Sequence, residues 1–339
     1  MRILLTGATG FVGLNIVEAL VQAGHDIVSY QRPEARRRYL DLFSPHVVEG
    51  PLDDVARLCA AMEGVDAVIH AAGVTSCLQK DWPALYQCNV QGTKAVLSAA
   101  RRQCVKRLVF TSTTSTIGST GLAGHFADED TPLSGWRAAS PYARSKLEAE
   151  RTLLAQTQVP VIILNLAEVV GAWDHTLQWG RIVLAVSRNS LPFLPPGSAT
   201  YCSARDAAHA HLRALTHGHP GQRYIIGNEN MSISAFVSMV AKHVGGSAEP
   251  ISRLPWQWQR LGSILRQWAN DHHIRGIGPP AVDPYRMRIF GTHQLFNDKK
   301  AQQELKYHHQ TVAQAVDEAF QWYRLNGYLD MRPSGAPLP

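Results

Sequence analysis

Apolar residues along the chain follow two rhythms. Short unbroken runs lie at 2–7, 26–30, 46–49, 66–70 and 107–111, and a sixth is Val161-Ile162-Ile163-Leu164-Asn165-Leu166. Between them, near 12–22, 53–62, 83–102 and 142–156, apolar positions return every three to four residues. The runs predict strands buried on both faces, and the longer spacing predicts amphipathic helices laid over them. Strand and helix alternate, so the pattern predicts an α/β fold, a doubly wound parallel sheet with helices on both sides. Past residue 170 the alternation weakens, and Pro192, Pro195, Pro196 and Gly197 crowd in. The chain therefore divides into a first unit over 1–170, rejoined by segments from about 200–228, and a smaller, discontinuous C-terminal lobe over 171–339.

The first strand runs straight into Thr6-Gly7-Ala8-Thr9-Gly10-Phe11-Val12-Gly13 and then into a helix. Gly7 suits a tight turn, Gly10 a close backbone approach to a diphosphate, and Gly13 close packing of helix on sheet. The helix start offers unpaired N–H groups and a positive dipole end to the phosphates. The spacing is G-x-x-G-x-x-G rather than G-x-G-x-x-G. In this position it predicts a Rossmann-type dinucleotide site with ligands at the carboxyl ends of the strands.

The second strand ends in Ser29-Tyr30-Gln31-Arg32. A free ribose 2′-hydroxyl is usually met here by a carboxylate. Gln31 and Arg32 stand there instead, with Arg36, Arg37 and Arg38 behind them. Guanidinium groups suit a 2′-phosphate, so NADP is expected ahead of NAD, which stays open. Arg36–Arg38 read equally well as a solvated helix face. Leu52, in Gly50-Pro51-Leu52-Asp53-Asp54, is placed against the adenine, with Asp53 expected to cap the next helix. Ala71, Ala72 and Gly73 close the fourth strand with side chains small enough for a cofactor to pass. His70 beside them reads as a packed, hydrogen-bonded histidine.

Composition narrows the alternatives. The 339 residues carry a formal charge of +6 and are 45% hydrophobic, enough for a sizeable core. The basic residues are dispersed and lack the aromatic interleaving of a nucleic-acid groove. Five scattered cysteines with no C-x-x-C pair predict neither a metal site nor a disulfide framework. No apolar run is long enough for a membrane span, and a chain that enters a strand at Arg2 is expected in the cytoplasm.

The fifth strand ends in the hydroxyl run Thr111-Ser112-Thr113-Thr114-Ser115-Thr116, and Ser140-Pro141-Tyr142-Ala143-Arg144-Ser145-Lys146 follows. Tyr142 and Lys146 are four apart and share one helix face. An ammonium beside a phenol favours the phenolate, so Tyr142 is expected to exchange a proton with a carbonyl or alcohol oxygen.

Together these residues resemble an extended short-chain dehydrogenase/reductase of the NAD-dependent epimerase/dehydratase superfamily. The likeness runs through the glycine turn, His70-Ala71-Ala72-Gly73, Asn89-Val90-Gln91-Gly92-Thr93, Phe110-Thr111-Ser112-Thr113 and Tyr142-Ala143-Arg144-Ser145-Lys146. It continues through Asn165 to Asp174, Ser203 to Ala208 and Phe296 to Ala301. The resemblance implies Tyr142 as general acid/base, Lys146 on the nicotinamide ribose and Thr113 on the substrate oxygen. The implied cofactor contacts are Gly7, Thr9, Gly10, Phe11, Val12, Gly13, Gln31, Arg32, Leu52, Ala71, Ala72, Gly73, Ser112, Tyr142, Lys146, Leu166 and Val169. It also implies a homodimer through a four-helix interface that includes the Tyr142 helix.

Within the superfamily the chain looks most like the dihydroflavonol-reductase and 3β-hydroxysteroid-dehydrogenase-like branch, which implies an oxidoreductase acting on a carbonyl or secondary alcohol of an apolar cyclic substrate. The alternatives are an NAD-dependent nucleotide-sugar epimerase or dehydratase and a non-catalytic cofactor-sensing protein. Glu168 is either a substrate determinant or a plain turn carboxylate. Arg286 and Arg288 are phosphate ligands or exposed loop arginines. Leu254, Trp256, Trp258, Leu261, Ile264, Leu265 and Trp268 form a stripe beside Arg253, Arg260 and Arg266. It reads first as a helix packed on its own lobe, then as a lid over an apolar substrate, then as a surface helix in peripheral contact with a membrane.

Overall fold

The computed structural model describes residues 1–272, 274, 280, 282–307 and 309–329. Residues 330–339 of the expected lobe lie outside the described residues. The first unit runs β1 (Arg2–Thr6), α1 (Phe11–Gln22), β2 (Asp26–Gln31), β3 (His46–Glu49), α2 (Val55–Ala61), β4 (Ala67–His70), α3 (Trp82–Leu85), α4 (Gly92–Arg102), β5 (Arg107–Thr113), α5 (Pro141–Leu154) and β6 (Val161–Leu166). Then follow β7 (Glu168–Val170), α6 (Gly180–Ser187), β8 (Ser198–Ser203), α7 (Ala204–Ala214), β9 (Gln222–Ile226), β10 (Glu229–Ser232), α8 (Ile233–Val244), α9 (Trp256–Asp271), α10 (Pro284–Phe290), β11 (His293–Gln294), α11 (Lys299–Leu305) and α12 (Val312–Leu325).

Seven parallel strands pair in the order β3-β2-β1-β4-β5-β6-β9. Both faces are covered, which is why the strands are apolar without alternation. Ile3, Leu5, Ile162 and Leu164 pack with α1 and α7 on one face, and Leu4, Val161 and Ile163 pack with α2, α4 and α5 on the other. The strand order reverses between β1 and β4, and such a reversal opens a crevice at the carboxyl ends of the strands. A second sheet, in which β8 pairs with β7, β10 and β11, carries the smaller lobe. The returning segment divides: α7 and β9 join the first unit, whereas β8, at 198–203, belongs to the lobe.

Two local expectations need correction. Asp54, not Asp53, caps α2, accepting from the Arg57 amide at 3.0 Å, while Asp53 holds the Gln87 side chain. The helix expected over 83–102 is interrupted by one wide π turn, Tyr86–Gln91, between α3 and α4. The start of α5 follows its sequence closely: Pro141 fills the first turn, where no N–H is needed, and the Ser140 side chain caps it.

Two buried polar groups bind the strand ends. His70 meets the Thr6 hydroxyl through Nδ1 at 2.7 Å and the Thr93 hydroxyl through Nε2 at 2.9 Å, tying β4 to β1 and α4. Glu150, on α5, accepts hydrogen bonds from Ser112, Thr116 and Asn165 and faces the Arg223 guanidinium at 3.3 Å. It joins α5 to β5, β6 and β9. Glu150→Gln keeps the shape but removes the charge opposite Arg223, and is expected to cost about 3 kcal/mol in urea denaturation. An unchanged midpoint would show that the charge carries no stability.

Burial lowers the His70 pKa to about 3 and the His211 pKa to about 4. The unfolded chain therefore takes up protons below about pH 6.5 that the folded chain refuses. Stability is fully present above that pH and is lost as pH falls toward the folded values. Between pH 6.5 and 5 each histidine is expected to remove about 2 kcal/mol, read as a lower urea midpoint at pH 5 than at pH 7.

Candidate active site

The glycine turn has the shape its sequence requires. Gly7 stands at φ +77°, and a Cβ there would lie 2.5 Å from the Ala72 amide nitrogen. A Cβ at Gly13 would run into the Gly7 carbonyl, whereas one at Gly10 would touch only the Gly7 oxygen at 3.4 Å. Gly10 caps α1 without a side chain, so the first-turn amides have no side-chain acceptor. Thr9 and Val12 are half-buried along this turn and Phe11 is buried. The Ala71-Ala72-Gly73 loop crosses beside it, with the Ala72 amide donating to the Thr6 hydroxyl at 3.2 Å. This cradle fits a dinucleotide diphosphate.

At the end of β2 Gln31 is buried, and neither atom of its side-chain amide has a partner among the described residues. Arg32 is exposed beside it. Arg36–Arg38 lie in a loop, not on the helix face the sequence suggested. Arg37 pairs with Asp41 and Glu49 at 3.9 and 3.5 Å, and Arg38 lies over the Tyr39 ring. Leu52 packs against Gly92, where a Cβ would come within 2.5 Å of it.

Thr113 and Tyr142 line one cavity. Lys146 is held at the neighbouring strand, donating from Nζ to the Thr111 carbonyl at 2.8 Å and lying 3.9 Å from the centre of the Phe110 ring. Burial lowers the Lys146 pKa to about 8, with Glu150 acting in the opposite direction. The expectation that Lys146 makes Tyr142 acidic is not met. Burial raises the phenol pKa well above its ordinary value, aided by Cys77, while a Thr113 hydrogen bond opposes the rise. The Lys146 ammonium gives one hydrogen bond to a backbone carbonyl and faces a ring, and burial dominates the phenol.

Ser112 is placed by its hydroxyl. Its hydroxyl turns away to Glu150, which leaves only its backbone for a cofactor. Leu166 is buried at the end of β6, and Val169 is half-buried on β7.

Beyond Tyr142 the cavity is walled by Ile182, Leu191, Phe193, Val237, Ile289 and Phe290. Glu168 lies in its wall on β7 rather than in a turn, and its Oε2 accepts from Trp179 Nε1 at 2.7 Å. Burial raises the Glu168 pKa, and Arg286 and Arg137 partly offset that. Arg286 faces the same cavity from α10 and pairs with Asp283 at 3.5 Å, so it is not an exposed loop arginine. Arg288 lies 4.3 Å over the Trp136 ring.

One site residue, Glu150, went unread in the sequence, and another, Asn89, was named only within a motif and given no role. Glu150 follows Tyr142 and Lys146 at the next helical turn, so the four-residue period could have found it. Asn89, within the π turn, accepts from the Val74 amide at 2.8 Å and donates to the Val74 carbonyl and the Ser145 hydroxyl, each at 2.9 Å. It fastens the loop after β4 to the helix that carries Lys146. No spacing rule could have signalled that turn.

Comparison with known proteins places this arrangement. Residues 3–227 match the NAD dependent epimerase/dehydratase family. The chain is 30% identical over 333 residues to "Putative dihydroflavonol 4-reductase" of Synechocystis sp., spanning 96% of this chain and 95% of that one. It is 26% identical to "Sterol demethylase protein B" of Methylococcus capsulatus, spanning 97% and 100%. Among solved structures it is similar to gox2253, with a TM-score of 0.82 and 27% identity over 96% of this chain and 98% of the other. The chain is an NAD(P)-dependent enzyme of the NAD-dependent epimerase/dehydratase family, an extended short-chain dehydrogenase/reductase.

Proposed function

We propose that the protein is an NADP-preferring oxidoreductase that reduces a carbonyl, or oxidises the matching secondary alcohol, on an apolar cyclic substrate. The observation that carries this reading is the cavity itself, with Tyr142 and Thr113 at one end and hydrocarbon along most of the rest. The names of the relatives, a dihydroflavonol reductase and a sterol-processing protein, support the same substrate class. The Gln31-Arg32 pair, in place of a carboxylate, supports NADP over NAD.

When bound, the dinucleotide supplies the hydride. The Gly7 to Gly13 turn binds its diphosphate, Arg32 meets the 2′-phosphate and Lys146 holds the nicotinamide ribose. Thr113 donates a hydrogen bond to the substrate oxygen. Tyr142 gives that oxygen its phenolic proton. The enzyme works as a cytoplasmic homodimer in this reading.

Arg286 favours one second reading, a nucleotide-sugar epimerase or dehydratase, because it could meet a diphosphate in the cavity. The Glu168 carboxylate beside it opposes such an anion.

Fluorescence titration separates the two. NADPH is expected to bind at least about tenfold tighter than NADH, about 1.4 kcal/mol, and Arg32→Ala is expected to erase the difference. Tighter NADH, or NAD retained through purification, would turn the assignment toward the epimerase. Tyr142→Phe is expected to lower reductase turnover on a cyclic ketone by about a hundredfold or more while leaving NADPH affinity nearly unchanged. Undiminished turnover would remove Tyr142 from the mechanism.

A further inference from the structure

Helix α9 wears its hydrophobic stripe on the outside. Trp258, Leu261, Ile264, Leu265 and Trp268 are exposed, by 64, 42, 42, 56 and 55%. At about 100° per residue these five fall within one arc of about 120°. Ser263 and Ala269 are the buried residues of the helix. The helix rests on a thin inner side, where Ser263 donates to the Val282 carbonyl and Trp256 packs on Phe193. The sequence expectation of a stripe packed on its own lobe is thus overturned. The helix forms as expected, but its broad apolar face points away from the protein.

Charge and position say what covers that face. Arg253, Arg260 and Arg266 are exposed on this segment, against one helix carboxylate, Asp271. Arg260 and Arg266 flank the apolar arc on its two sides. An apolar face edged by arginines, on a helix too polar to span a bilayer, matches a lipid interface carrying negative headgroups. The segment is also built onto the substrate cavity. The Ile251 and Ser252 amides pair with the Leu191 and Pro192 carbonyls, and Trp256 stacks edge-on against Phe193 at 5.6 Å. Leu191, Pro192 and Phe193 line the apolar part of the cavity.

We propose that α9 docks the protein on an anionic lipid surface, lying in the plane of the headgroups with its outer face among the acyl chains. The apolar part of the cavity then sits next to the phase in which an apolar substrate dissolves. The docking stands on the helix alone; only this benefit rests on the substrate class proposed above.

Flotation of the full chain with vesicles tests it. Wild type is expected to float with phosphatidylcholine vesicles containing phosphatidylglycerol about tenfold more than with phosphatidylcholine alone. Leu261→Ser with Leu265→Ser is expected to abolish flotation, and Arg260→Glu with Arg266→Glu to lower it about tenfold, both with NADPH affinity intact. Wild type left at the bottom of both gradients would overturn the proposal. So would serine variants that float like wild type, or serine variants that change the oligomeric state in gel filtration, since the face would then cover a second copy. Turnover on a soluble ketone, measured separately, reports on the catalytic reading alone.

Discussion

A single carboxylate buried under the reacting centre is the constraint on which the arrangement depends. Glu150 is almost fully buried, and a charge in that position costs several kcal/mol unless hydrogen bonds and an opposite charge compensate it. The compensation comes from three separate segments. Ser112 lies at the end of one strand and Thr116 follows it, Asn165 sits in the next, and Arg223 comes from the outermost strand of the same sheet. Satisfying one charge therefore fixes the relative position of β5, β6, β9 and α5. Because Tyr142, Lys146 and Glu150 occupy successive turns of α5, that fixing also sets the height of the phenol and the ammonium over the strand ends. Glu150 acts on Lys146 electrostatically as well, opposing the loss of its proton.

Most of the first unit was legible because burial on both faces leaves a strong local signature. Five of the six apolar runs became strands within a residue or so of their predicted ends, and β5 extends two residues further. The glycine turn was legible for a different reason: a Cβ at Gly7 or Gly13 would collide with backbone, so the residue type is dictated by geometry. The chemistry of the Tyr142 pair was only half legible. Spacing put the two side chains on one face, but spacing could not say that Lys146 would bind the Thr111 carbonyl and leave the phenol to the influence of burial. Hydroxyl runs carry a similar ambiguity. Ser112 and Thr113 are neighbours on a strand, so they point to opposite faces, and only one of them can line the cavity.

The lobe was less legible, because its helices pack through side chains from distant segments. A helical stripe in a sequence gives the width of an apolar face but not its direction. In α8 the stripe turns inward, with Phe236, Val237 and Val240 in the lobe core beside α6 and α12. In α9 a stripe of comparable width turns outward, since Ser263 and Ala269, small residues with little pattern of their own, make the contact instead. Arg286 shows the same limit: nothing near it in sequence distinguishes an arginine aimed into a cavity from one in solvent.

The π turn between α3 and α4 has a consequence for how the chain tolerates change in length. A π turn is in effect one extra residue held inside a helix, and it gives up regular hydrogen bonding to do so. Here the extra residue lets Asn89 point at Val74 and Ser145 together. Deleting one residue between Tyr86 and Gln91 would restore an ideal helix and improve its local geometry. The same deletion would rotate everything before it by about 100° and unhook the loop after β4 from α5. The segment is therefore intolerant of the shortening that would make it a better helix.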